Sequence, residues 1–221
     1  MKSVFSKIWR YFADGVLAGI TIVLGGAVFL ACNNGSLLGS LIGACLFSVA
    51  LLCTCIKGYS LYTGKIGYIL SKHSKDDLAV TFIGLIGNIA ATFLFGYIMA
   101  LTFPNLKTVA ENICANKLEL ELWKVLIRAI LCGILIYLAV DIYRENKSTI
   151  GILICIPTFI LSGYEHSIAD MFYFAVAGLS GKALLFILIV IIGNSIGGII
   201  VPLLKLQKKD KDISQNISCD K

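Results

Sequence analysis

Ser162-Gly163-Tyr164-Glu165-His166-Ser167-Ile168-Ala169-Asp170-Met171-Phe172 sets a glutamate, a histidine and an aspartate between two apolar segments, residues 150–161 and 174–179. An ionisable group at a bilayer centre costs about 2.5–3.5 kcal/mol or more, and those that persist line a pathway or a polar cavity. The plain alternative is a wetted loop between two short helices. Which reading holds depends on whether the rest of the chain lies in a membrane.

Composition answers that. Of 221 residues, 58% are hydrophobic and 14% are charged, with a mean hydropathy of +0.89. A soluble domain carries nearer a quarter charged residues. A spanning helix needs about 20 mainly apolar residues, and six such runs fit: 11–33, 36–57 extended by 65–70, 78–103, 121–143, 149–177 and 181–205. The expectation is an all-α polytopic membrane protein forming a single transmembrane domain over 1–221, with a basic tail from 206. Lys2, Lys7 and Arg10 before an apolar run imitate a signal peptide. That run is long and Asp14 interrupts its start, so it reads as an uncleaved first span.

Charge sets the expected orientation. Thirteen basic residues fall on the side of both termini: Lys2, Lys7, Arg10, Lys65, Lys72, Lys75, Arg144, Lys147 and the five lysines from Lys205 onward. Only Lys107, Lys117, Lys124 and Lys182 fall on the other side, with Lys57 and Arg128 inside spans. Both termini are therefore expected in the cytoplasm, and the net charge of +6 reflects topology and contact with the lipid bilayer, not nucleic-acid binding. Of the eight cysteines most sit inside spans, where cysteine behaves as a small apolar residue. No disulfide, metal or cofactor site is indicated.

Within this frame the second run is interrupted by Lys57-Gly58-Tyr59-Ser60-Leu61-Tyr62-Thr63-Gly64-Lys65, as the fifth is by 162–167. Irregular backbone at membrane depth is tolerated only where it lines a cavity or is buried in protein. The two halves echo each other. Asn88 and Asn194, 106 apart, both stand in a Gly-Asn-x-x-small pattern; Thr63 and His166 mark the breaks 103 apart; Ala18-Gly19-Ile20 and Arg128-Ala129-Ile130 are offset by 110. Three spans per half make the repeats, 11–103 and 121–205, inverted. Matching interrupted segments in two halves are the best sequence pointer to a midplane transport site.

The 162–172 stretch resembles the signature of the formate/nitrite transporter family, which includes hydrosulfide channels. Leu61-Tyr62-Thr63-Gly64 is similar to its second-span break, and Gly193-Asn194-Ser195-Ile196-Gly197-Gly198 to its last-span motif. The match runs along nearly the whole chain. The resemblance implies an aquaporin-like protomer, a homopentamer and a pore for a small monovalent weak-acid anion through each protomer, in a bacterial inner membrane. It implies His166 as the central pore histidine, Thr63 opposite it, Glu165 as its acidic neighbour and Lys117 near the outer mouth. Phe47, Leu51, Leu61, Tyr62, Ile136 and Phe159 fall at the family's apolar constrictions. Lys57, a basic residue the resemblance does not supply, reads either as a second attraction for the anion or as a side chain reaching an interface. Asn88, Asn194 and Asp170 read as polar packing groups. Three further departures stand out: Asp170 where the family has asparagine, Gly133 for a common asparagine, and Ser60 for an acidic residue.

Physically, apolar rings around one polar site suit a small anion, excluding a water column while the histidine replaces lost hydration. Histidine titrates near physiological pH. Formate, nitrite, hydrosulfide, acetate and lactate all fit. Two other classes remain: a membrane enzyme using Glu165 and His166, against which stands the lack of a Gly-x-Ser-x-Gly or His-Glu-x-x-His pattern, and a neutral-solute channel of water or glycerol type.

Overall fold

The computed structural model describes the backbone of residues 2–33, 35–69 and 75–219, and the side chains of 4–33, 35–69 and 76–206. Among the described residues every regular element is helical: α1 (Lys2–Cys32), α2 (Leu37–Lys57), α3 (Tyr62–Lys65), α4 (Lys75–Thr102), α5 (Pro104–Leu118), α6 (Leu122–Asn146), α7 (Ile150–Leu161), α8 (Ser167–Ala177) and α9 (Gly181–Cys219), with a 3-10 turn over Ile66–Tyr68. Five helices are long and apolar enough to span a membrane, and α7 with α8 makes up a sixth crossing in two pieces.

Local chemistry sets the ends. Ser36 caps α2 by accepting the Gly39 N–H at 3.0 Å, and Gly58 ends it in the left-handed region at φ 73°, a conformation that costs glycine little. Pro104 opens α5 at a position where no amide hydrogen is needed. α2 therefore runs whole to Lys57, and the irregular 59–61 segment follows it. The fifth crossing, by contrast, is divided near its middle.

The halves are inverted copies. In the first, α1 packs on α4 and α2; in the second, α6 packs on α9 and α7. Glycines permit the close crossings: a Cβ on Gly15 would overlap the backbone of Gly84, and one on Gly197 would overlap the Ile130 carbonyl. Each break then sends its short segment into the other half. α8 packs on α4, and the 3-10 turn packs on α9. Large apolar residues such as Leu24, Leu46, Leu94, Leu153, Leu184 and Leu188 face outward, while Ser60, Thr63, Asn88, Glu165, His166, Asp170 and Asn194 are buried. Such an inside-out distribution fits a lipid-facing surface.

Two asparagines hold the breaks by the same three bonds. Asn88 Nδ2 donates to the carbonyls of Gly15 (2.7 Å) and Ser60 (3.0 Å), and its Oδ1 accepts from the Tyr62 N–H (3.0 Å). Asn194 Nδ2 donates to the carbonyls of Ala129 (2.8 Å) and Glu165 (2.8 Å), and its Oδ1 accepts from the Ser167 N–H (2.8 Å). This correspondence pairs Gly15 with Ala129, one helical turn away from the register that matched Ala18 with Arg128. It also pairs Leu61 with His166, the N-cap residues of α3 and α8. Thr63 is thus not the counterpart of His166.

Of the basic residues used for orientation, Lys72 and Lys221 lie outside the described residues, as do the side chains of Lys2, Lys75, Lys208, Lys209 and Lys211. Lys65, Arg144 and Lys147 gather around one cavity. Helix α9 continues without a break through the segment read as a tail, to Cys219.

Replacing Asn88 or Asn194 by alanine strands two buried backbone groups at each break, the Ser60 carbonyl and Tyr62 N–H or the Glu165 carbonyl and Ser167 N–H, each worth about 1–3 kcal/mol. Both variants are expected to lower the thermal midpoint in detergent, measured beside Thr108→Ala on the exposed face of α5 as a reference that leaves it unchanged.

Candidate functional site

The fifth crossing ends its first half at Leu161 and turns through Ser162 and Gly163, the latter at φ 67°. The Tyr164 N–H closes the turn on the Phe159 carbonyl at 2.9 Å. His166 then opens α8, its Nδ1 accepting the Ala169 N–H at 3.1 Å. With Nδ1 used as acceptor, the neutral ring carries its hydrogen on Nε2. Nε2 lies 2.9 Å from Thr63 Oγ1 and donates to it, so the two breaks meet side chain to side chain. The imidazole stacks on Phe159 with centroids 5.7 Å apart, and Phe159 meets Phe47 edge-on at 6.3 Å.

Cavities approach this layer from opposite ends. The larger, about 360 Å³, reaches Phe47, Phe159 and His166 and includes Lys117, Arg128, Glu165 and Asp170 in its wall. The smaller, about 210 Å³, reaches Leu51 and Leu61 and is rimmed by Lys65, Arg144 and Lys147. Phe47 faces one cavity and Leu51 the other, so along α2 the two are separated by one helical turn, about 6 Å. Ile136 and Tyr62 are buried but belong to neither cavity wall. The Tyr62 hydroxyl instead pairs with Ser195 Oγ at 2.8 Å, and its ring lies 6.3 Å from that of Phe82.

A charged cluster lies in the wall of the larger cavity. Lys117 reaches in from the end of α5, forms an ion pair with Glu165, and lies 3.0 Å from Asp170 Oδ1. Arg128 Nη1 stands 4.0 Å from Glu165 Oε1. The two carboxylates are only 2% exposed and the Lys117 side chain 16%. Burial alone would lower the Lys117 ammonium, but the adjacent carboxylates of Asp170 and Glu165 outweigh it and hold it well above the ordinary lysine range.

The structure therefore brings together His166, Thr63, Glu165, Lys117, Asp170, Phe47, Leu51, Leu61 and Phe159. Lys57 is exposed at the end of α2 and lines neither cavity. Asn88 and Asn194 act one step back, fixing the backbone on which Leu61 and His166 sit. Arg128 enters the cluster although no partner for it is apparent along the chain. Glu165 lies within its reach only because the fifth crossing is broken. The segment after α4, whose Lys107 and Lys117 the charge pattern sets on the side opposite the termini, is a helix that delivers Lys117. Gly133 also gains a reason: a Cβ there would overlap the backbone of Asn194. Among the described residues no group of histidine, cysteine or carboxylate side chains is arranged to hold a metal.

Comparison with known proteins bears on the family and the fold. The sequence model of the formate/nitrite transporter family matches residues 1–206. The chain is 33% identical to the uncharacterized transporter YrhG of Bacillus subtilis (strain 168), over 96% of this chain and 90% of that protein. It is 27% identical to the nitrite transporter NirC of Escherichia coli (strain K12), over 76% of this chain and 68% of that protein. Among solved structures, a pentameric formate channel with formate bound superposes with a TM-score of 0.74 at 20% identity, covering 94% of this chain and 98% of that one.

Removing the ammonium by Lys117→Ala leaves two buried carboxylates without their cation, a loss of about 3–5 kcal/mol. The single variant is expected to fall well below wild type in thermal stability. Adding Glu165→Gln and Asp170→Asn is expected to recover most of it, measured by thermal unfolding in detergent.

Proposed function

We propose a cargo and a path for this chain from the premise that it belongs to the formate/nitrite transporter family. It is an integral membrane transporter and not an enzyme. The cargo proposed is a small monovalent weak-acid anion, formate or nitrite, with hydrosulfide as a third candidate of the same size and charge. The path runs from the larger cavity to the smaller through each protomer. It passes Phe47, Phe159 and His166, then Leu51 and Leu61.

The observation that carries this reading is the Thr63–His166 hydrogen bond, the polar contact in an apolar layer about one helical turn thick between two cavities. An ion leaving the larger cavity loses water and finds the Thr63 hydroxyl hydrogen, and the Nε2–H once it turns from Thr63 to the ion, as replacement donors. Phe47 and Phe159 on one side, and Leu51 and Leu61 on the other, interrupt any water column. Lys117 and Arg128 offer the anion positive charge at the larger cavity, offset by Glu165 and Asp170 while both are ionised; Lys65, Arg144 and Lys147 offer it at the smaller. Lys57, at the surface, is left as a side chain at the membrane interface.

The charge bias supports both termini and the smaller cavity on the cytoplasmic side of a bacterial inner membrane, with the larger cavity outside. The homopentamer is proposed by analogy with the solved channel of the same fold. Outward apolar residues on several helices offer surface for both lipid and neighbouring copies.

The test is uptake of formate, nitrite and hydrosulfide into proteoliposomes between pH 5 and 8, the range in which histidine chemistry is read. Wild-type protein is expected to carry at least one of them. His166→Asn is expected to change the pH profile of that flux. A profile identical to wild type would remove His166 from the path, and osmotic swelling in glycerol with no anion uptake would favour a neutral-solute channel.

A further inference from the structure

Asp170 does not fit a purely structural account of the larger cavity. One ammonium, Lys117, is shared between two buried carboxylates, Glu165 and Asp170, with Arg128 beyond. With all four ionised the cluster sums to zero charge. Yet the two carboxylates are unequal. Glu165 meets Lys117 through Oε2 and faces Arg128 through Oε1. Asp170 meets Lys117 only through Oδ1, while its Oδ2 is buried and without a hydrogen-bond partner among the described residues. Asp170 is itself 1% exposed and forms part of the cavity wall.

An unpartnered anionic oxygen in such a wall repels an incoming anion and is costly to keep dry. A proton on that oxygen reverses both effects. It leaves the cluster with one net positive charge, and converts an acceptor into an O–H donor. We propose that Asp170 is a proton-binding residue that sets anion selectivity: one proton taken from water on the Lys117 side binds Asp170 as one anion binds the larger cavity. The step is a simple association, carboxylate plus proton giving carboxylic acid, with the anion's charge balanced by the proton. By reciprocity, acid pH raises anion affinity and a bound anion raises the affinity of Asp170 for its proton. The other ionisable groups around it are Lys117 and Cys114 on α5, Arg128 and Cys132 on α6, Glu165 and His166 before α8, and Tyr173 on α8. Among them Lys117 and Glu165 act on Asp170 most directly. The inference rests on the anion-transport reading above and adds the proton to it.

Two measurements decide it. Infrared difference spectra of the wild type on adding nitrite are expected to show a new carbonyl band of a buried protonated carboxylic acid. That band is expected to vanish in Asp170→Asn and persist in Glu165→Gln and His166→Asn. No band, or a band lost only in Glu165→Gln, overturns the proposal. In proteoliposomes Asp170→Asn mimics the neutral acid, so nitrite or formate uptake at the alkaline end should rise about fivefold or more, flattening the profile. Superimposable wild-type and Asp170→Asn profiles also overturn it. The binding spectra do not depend on flux. A nitrite-induced band with no uptake of any anion would therefore support the Asp170 assignment while sinking the transport reading.

Discussion

A helix broken inside a membrane exposes amides and carbonyls that lipid cannot satisfy, and the structure depends on how that demand is met. Asn88 and Asn194 each offer one acceptor and two donor bonds, and each uses all three within its own half. In each half one bond anchors the asparagine to the first helix, and the other two grip the chain on either side of the N-cap. Leu61 and His166 are held in place by this grip before any contact of their own is counted. Because the amide nitrogens approach backbone carbonyls of neighbouring helices, those helices must pass closely. The glycines at the α1–α4 and α6–α9 crossings allow it.

Much of this was legible because the membrane makes polar residues conspicuous. Glycine, asparagine and charge inside apolar runs mark both breaks and the inverted halves, while the apolar cavity residues Phe47, Leu51, Leu61 and Phe159 come from the family resemblance. Partnership was not legible. Thr63 and His166 look like equivalent points at similar offsets, yet they are bonded to each other, since which side chains meet between the two halves depends on their tertiary packing. α5 escaped notice for a different reason. Its mixed charges resemble an exposed loop, with only Pro104 to signal a helix start, so the family resemblance sets Lys117 near the outer mouth without revealing the helix that carries it inward. For Lys57 the sequence leaves two readings open, and its exposed place at the end of α2, in neither cavity wall, favours the one in which a long side chain at a helix end reaches the interface.

The backbone is symmetric and the chemistry is not. At matching N-caps one half has leucine, with no side-chain cap, and the other has histidine, which caps α8 with its own ring. α3 consequently persists for four residues before passing into a 3-10 turn, whereas α8 continues for eleven. The charges differ in the same sense. The cavity on the His166 side sets two cations against two buried carboxylates, while the other is rimmed by lysine and arginine. Electrostatics at the two ends are thus tuned independently of the scaffold they share.

The way the halves interlock bears on how a solute could cross. Alternating access by rocking requires one repeat to move as a body against the other. Here α8 of the second half is packed on α4 of the first, the 3-10 turn of the first on α9 of the second, and His166 is bonded to Thr63 across the join. Rocking would break all three contacts at once, including a buried hydrogen bond whose loss costs about 1–3 kcal/mol for each group left unpaired. A barrier one helical turn thick demands far less, because rotation of the Phe47, Phe159 or Leu51 side chains suffices to widen it. Side-chain rotation occurs on much faster timescales than collective domain motion, so this architecture argues for a fixed path with a thin, locally gated barrier.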